Sequence, residues 1–154
     1  MKLPDNLTGT WSKFDELGPL DVYDLLKMRQ DIFILEQTSL YADIDGKDPG
    51  ALHYLIRERS TSVLLGAIRM FSDADAGTAR IGRVVIAKEG RGSGVGRSMM
   101  LAGIEKAEAL VPGCAIHVSA QAYLEKFYGS LDFETVSDVY IEDGIPHIDM
   151  IRRG

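Results

Sequence analysis

The chain has one cysteine, Cys114, which excludes an internal disulfide and a cysteine cage around a metal ion. Long apolar runs are missing as well. Val84-Val85-Ile86-Ala87 is typical of the longest, far short of the ~18 residues of a membrane span. Met1-Lys2-Leu3-Pro4-Asp5-Asn6 lacks an apolar stretch, so no secretory signal is expected and the location is read as cytoplasmic. Positive charge is in the minority, with 17 Lys plus Arg against 23 Asp plus Glu and a net charge of −6. That balance gives no support for a nucleic-acid face. Repeats of 20 to 50 residues and low-complexity segments are absent too. What remains is ordinary globular material: 154 residues, 45% hydrophobic and 26% charged, read as one domain over 1–154 with a core of its own.

Patterning predicts a strand over Thr10–Phe14. Gly18-Pro19 then opens a helix that gathers Leu25, Ile32 and Phe33 on one face, with Val22 and Met28 beside them. Glu36 to Leu52 is polar and turn-rich, too long for a plain connector, and so a candidate wall of a site. His53–Glu58, Val63–Phe71 and Ala79–Ala87 read as an antiparallel meander. Met100, Ile104, Ala107 and Val111 follow helical spacing up to the stop at Pro112-Gly113. Ala115–Ser119 reads as a strand and Gln121–Ser130 as a short helix, and two last strands join around Glu142-Asp143-Gly144-Ile145-Pro146. The order β-α-β-β-β-α-β-α-β-β makes the class α+β or mixed α/β in three layers.

The informative stretch is the run of glycines from Gly90 to Gly96, of which Gly92, Gly94 and Gly96 are bracketed by Arg91 and Arg97, lying between a Val/Ile strand and a helix. Glycine lets a backbone approach a ligand, and a helix start offers unpaired N–H groups with partial positive charge, so the turn suits phosphates. A Walker loop is excluded, because neither Gly90 nor Gly92 has a Gly-Lys pair at the required distance. A dinucleotide fingerprint fails because Arg97 and Met99 stand where its third glycine belongs.

What is left, Arg91-Gly92-Ser93-Gly94-Val95-Gly96, fits R-x-x-G-x-G and resembles the phosphate turn of the GNAT superfamily of N-acetyltransferases. Gln121 to Phe133 is similar to that family's second signature, N-x-x-A-x-x-F-Y-x-x-x-G-F. It matches at Phe127, Tyr128 and Phe133 and departs at Gln121, Leu124 and Asp132. Leu26–Gln37, Tyr41–Gly46 and Glu142–His147 resemble the ElaA-type branch.

The resemblance implies a three-layer α/β/α fold whose mixed, mostly antiparallel sheet is splayed at the acyl-CoA site. It implies acetyl-CoA as co-substrate, no metal, a small-molecule or peptide amine as acceptor, and a homodimer. Backbone groups of Val84, Val85 and Ile86 would pair with the pantetheine arm as an added strand does. Arg91, Gly92, Ser93, Gly94, Val95, Gly96, Arg97 and Ser98 would hold the phosphates, with Gln121 also at the coenzyme site. Tyr128 is the candidate acid for the departing thiolate, since a hydroxyl of reference pKa ~10 keeps its proton at neutral pH. A lysine-like amine costs roughly 4–5 kcal/mol to deprotonate at pH 7, so a base is needed. Glu36 and His147 are the candidates. Asp45, His53, Arg69 and Arg83 are the expected acceptor-side residues, the two arginines as carboxylate binders or as partners of internal ion pairs.

Two further readings stand beside this one. Arg29, Phe33, Asp45, Asp48 and Arg69 are also similar to acyl-homoserine-lactone synthases, which implies a larger acyl donor. A non-catalytic CoA-binding module is the other. Asp43-Ile44-Asp45-Gly46-Lys47-Asp48 has the wrong spacing for a calcium loop. Cys114, His117, Met99, Met100 and Trp11 read as structural.

Overall fold

The computed structural model describes residues 3–154. The first strand, β1 (Leu7–Lys13), starts three residues earlier than expected. Its alternation is weak because it is an edge strand with little to bury. Helix α1 (Pro19–Arg29) begins with Pro19, whose fixed φ suits a first turn, while the Asp21 carboxylate accepts the Gly18 amide at 3.3 Å. It continues over Gln30–Glu36 as wider π turns, closed by the Gln37 amide on the Ile32 carbonyl at 3.0 Å. Strands β2 (Leu52–Glu58), β3 (Leu64–Asp73) and β4 (Thr78–Ile86) form the expected meander.

Helix α2 (Val95–Leu110) and strand β5 (Ala115–Gln121) follow. The segment read as one helix over Gln121–Ser130 is corrected. Gln121 ends β5, a 3₁₀ turn covers Ala122–Leu124, and only Glu125–Gly129 is α-helical (α3). A two-residue strand β6 (Glu134–Thr135), too short to carry a period, was not expected. It precedes β7 (Tyr140–Glu142) and β8 (Ile145–Arg152).

The strands form one sheet in the order β1-β2-β3-β4-β5-β8-β6, with β7 also on β8, and every pair is antiparallel except β4 with β5. One face packs on α2 around Ile56, Ile68, Ile81, Met99, Met100 and Ile116. The other packs on α1 and its π extension through Leu25, Met28, Ile32, Phe33, Leu55 and Val85. Burial of each such side chain contributes about 1.5–3 kcal/mol. Helices therefore cover both faces, giving the three layers.

Two irregularities make room for a site. First, β4 and β5 pair only from Thr78↔Ala115 to Arg80↔His117 and then part. Second, Ala67 faces Val85 but Arg69 faces Gly82, so β4 carries one extra residue at Arg83–Val84. In a regular strand Ile81 and Val85 would share a face. Here Ile81 packs with α2 and Val85 with α1, because the bulge reverses the alternation. Arg83 absorbs the bend at φ +47°, in the left-handed region that a non-glycine residue rarely adopts. No helix among the described residues is long and apolar enough to cross a membrane.

Candidate active site

The gap between β4 and β5 opens into a cleft of about 690 Å³. Of the expected coenzyme residues, Val84, Val85, Ile86, Arg91, Gly96 and Gln121 line it. Beyond Arg80 the β4 edge that faces β5 has no strand partner among the described residues, so an extended ligand can pair with its backbone.

The glycine turn stands at the start of α2. Gly92 and Gly94 have φ of +77° and +78°, which glycine adopts without a Cβ penalty. Gly94 is the N-cap and brings no side chain to the first-turn amides of Val95, Gly96 and Arg97, which no intrahelical carbonyl accepts. A Cβ on Gly96 would come within 2.9 Å of Ile86 Cδ1, so that glycine lets the helix start lie against the strand end. Val95 is buried in the core and offers only its amide. The Ser98 amide is taken by the Gly94 carbonyl at 3.1 Å, and its side chain is buried. The Ser93 hydroxyl donates to the Gly90 carbonyl at 2.6 Å, and Arg97 donates to the Ser130 hydroxyl at 3.1 Å.

Tyr128 is 4% exposed and lines the cleft. Phe127 and Phe133 meet its ring edge-on, with centroids at 5.1 and 5.8 Å. No side-chain hydrogen bond among the described residues engages its hydroxyl. Burial pushes its pKa up to about 12, so the proton stays on at neutral pH.

The two base candidates differ in availability. Glu36 ends the π segment and accepts from Arg91 at 2.6 Å, with Lys88 at 3.7 Å. The hydrogen bond from Arg91 holds its carboxyl below the usual range, which weakens it as a base. His147, on β8 opposite Gln121, places Nδ1 2.7 Å from the Ile145 carbonyl. A carbonyl only accepts, so Nδ1 carries the proton and Nε2 of the neutral ring keeps a lone pair. Nε2 lies 3.6 Å from the Glu142 carboxylate, and the ring stacks on Tyr140.

The acceptor-side expectation resolves into an ion-pair network. Arg29, 1% exposed, donates to Asp43 and Asp48, each at 2.9 Å. Arg69 donates to Asp48 at 2.9 Å and to Asp45 at 2.6 Å. Arg83 Nη2 reaches Asp45 at 3.3 Å. Its Nε lies 2.9 Å from Asp43 Oδ1, near enough for charge attraction but not aligned for a hydrogen bond. His53 Nε2 faces the Asp48 carbonyl at 2.9 Å, and burial lowers its pKa, so the ring is neutral. Arg69 and Arg83 line the cleft with their charges already matched. Asp45 and His53 stand behind them, outside the lining.

Hydrogen bonding from Arg69 holds Asp45 well below the usual carboxylate range. Burial pushes Asp48 the other way, but Arg29 and Arg69 outweigh it and hold it low too. Carboxylates lowered on folding contribute stability that is complete above their unfolded value, ~3.9, and is lost as pH falls through the folded values. Asp45→Asn is therefore expected to flatten the dependence of Tm on pH below about 4. A slope equal to the wild type's would show that this pairing carries no linkage.

Sequence reading offered Glu36–Leu52 as a wall without singling out Gln37, Ser39 or Tyr41, and it missed Phe71 and Arg80; all five line the cleft. The Ser39 hydroxyl donates to the Asp143 carbonyl and ties the turn-rich segment to the β7–β8 hairpin. Same-face alternation with Gly82 was the available signal for Arg80.

Comparison with known proteins agrees with this geometry. Residues 28–153 match the family model described as an acetyltransferase (GNAT) domain. The chain is 37% identical over 138 residues to Protein ElaA of Escherichia coli, covering 89% of this chain and 90% of that one. The crystal structure of Escherichia coli ElaA superposes with a TM-score of 0.87, at 34% identity over 95% of this chain and 99% of that one. An acyl-CoA N-acyltransferase from Pseudomonas aeruginosa gives 0.86, at the same identity and coverage.

Proposed function

The chain belongs to the GNAT family of acyl-CoA-dependent N-acyltransferases, and from that premise we propose that it transfers an acetyl group from acetyl-CoA to a primary amine by direct attack. The observation that carries this reading is the parted β4–β5 edge, with an uncapped helix start at one end and the unengaged Tyr128 hydroxyl on its wall.

The coenzyme's pyrophosphate binds the amides of Gly92 to Gly96 with Arg91 and Arg97, and its pantetheine arm pairs with Val84 to Ile86. These contacts hold the thioester beside Tyr128. The amine nitrogen attacks the carbonyl carbon, a C–N bond forms, the C–S bond breaks, and the thiolate takes a proton donated through Tyr128. The proton lost by the amine passes to the base. His147 is favoured over Glu36 because its Nε2 is an acceptor, whereas Glu36 is engaged by Arg91. Glu142 then steadies the imidazolium. His147→Gln is expected to lower kcat by ~10²-fold or more, and Glu36→Gln to change it much less. The reverse outcome would assign the base to Glu36.

A longer acyl donor is the second reading. Arg29, Asp45, Asp48 and Arg69 join in one network, and Phe33 lines the cleft beside it. The deciding experiment measures free CoA thiol released from acetyl-, succinyl- and longer acyl-CoA with a panel of amines. Release from acetyl-CoA supports the first reading, and release only from long donors supports the second. CoA binding without release on any amine defeats both and leaves a binding module.

A further inference from the structure

Four arginines line the cleft, and three of them are paired: Arg69 and Arg83 with the aspartates of the network, and Arg91 with Glu36. Arg80 has no carboxylate partner among the described residues. Its polar contact is Nη1 to the Ser119 hydroxyl at 3.5 Å, the outer limit of a hydrogen bond. The backbone fixes where it stands. Phe71, Arg80 and His117 are register partners on the last rung before β4 and β5 part. Arg80 and Gly82 share a face of β4, the face that carries Arg69 and Phe71 on β3. Next along that face, a Cβ on Gly82 would meet nothing within 4 Å, so the space directly over Gly82 is open.

On the face shared by β3 and β4, Arg29, Arg69 and Arg83 are matched by Asp43, Asp45 and Asp48, and Arg80 is left without an ion pair; Glu142 and Asp143, also on the cleft, lie in the β7–β8 hairpin and do not bridge to it. Asp149 does not pair with it directly either. That carboxylate accepts the Tyr140 hydroxyl at 2.6 Å, and Ser119 stands between it and Arg80. A guanidinium offers five donors in a planar fork that matches a carboxylate.

We propose that the acceptor carries a carboxylate as well as its primary amine, and that Arg80 binds that carboxylate beside Ser119. The acceptor is then amino-acid-like, either free or at the end of a peptide. This inference rests on the acyl-transfer reading above.

The test compares matched acceptors with one acyl donor: glycine against glycinamide, aspartate against asparagine, and a dipeptide against its C-terminal amide. A hydrogen-bonded charge pair of this kind predicts roughly ten- to hundredfold higher kcat/KM for the carboxylate member, expressed mainly in KM. Arg80→Gln is expected to bring that ratio close to one, and Arg80→Lys to leave it in between. Titration of each variant with CoA reports whether the cleft is intact, and the wild-type comparison needs no variant. Equal use of both members by the wild type overturns the carboxylate site and leaves acyl transfer standing. A preference that survives Arg80→Gln also overturns it. No CoA release with any amine overturns the acyl-transfer reading and this inference with it. Preference for the dipeptide over the free amino acids identifies a peptide end as the source.

Discussion

Replacing Tyr128 by Phe is expected to lower kcat by ~10²-fold or more, with little change in the affinity for CoA. The substitution removes one oxygen atom from a ring that Phe127 and Phe133 hold edge-on, so the packing survives while the donor is lost. Burial acts on this residue in two directions. At about 12 its pKa keeps the proton in place at neutral pH. Against a thiol reference of ~8.5, outright transfer to a thiolate is uphill by about 5 kcal/mol. The same apolar surroundings raise the thiolate's own proton affinity as it forms, which narrows that gap. Under the proposed mechanism the Tyr128 hydrogen bond strengthens first, as charge gathers on sulfur, and the proton follows once the thiolate's own affinity has risen. Steady-state kinetics with a CoA titration separates the two quantities. An unchanged kcat would remove Tyr128 from the reaction.

Arg29→Met is expected to cost about 3–5 kcal/mol of folding stability, because it strands buried carboxylates that two arginines now neutralise. For a chain of this length that loss lowers Tm by roughly 10 °C. Asp43 and Asp48 come from the turn-rich segment, so the loss is local in origin: that segment no longer docks on α1 and β3. Adding Asp43→Asn and Asp48→Asn to Arg29→Met should recover part of the stability by removing the orphaned charge. Chemical denaturation of the single and triple variants measures both effects. A loss below about 1 kcal/mol in the single variant would show that the network is not needed to hold the segment.

The order of elements was legible in the sequence because long periodic stretches such as Leu52–Glu58 and Val95–Leu110 declare themselves locally. The glycine turn was legible for a different reason. Its positive φ values and open helix start depend on residues adjacent in sequence. The acceptor wall was not, since its meaning lies in long-range pairs. Arg69 and Arg83 stood out as polar residues on central strands, either to bind a carboxylate or to pair within the protein. That Asp45 and Asp48 would neutralise Arg69 could not be read from spacings of 24 and 21 residues. The bulge at Arg83–Val84 was equally hidden, since no glycine marks the positive φ there. The π turns over Gln30–Glu36 continue a helical pattern while turning Glu36 toward Arg91, a change of facing that a 3.6-residue period does not announce.

The parted edge of β4 also bears on how this molecule behaves among its neighbours. An unpaired strand edge normally invites a foreign β-sheet to dock, the first step toward clumping. Here the bare amides and carbonyls sit in a notch between β5 and the π segment, where a strand already flanked by others does not fit. Only a slender, unaccompanied chain of atoms can slide in. The notch can thus stay vacant between turnovers without endangering solubility, and it screens visitors by girth before any chemistry begins.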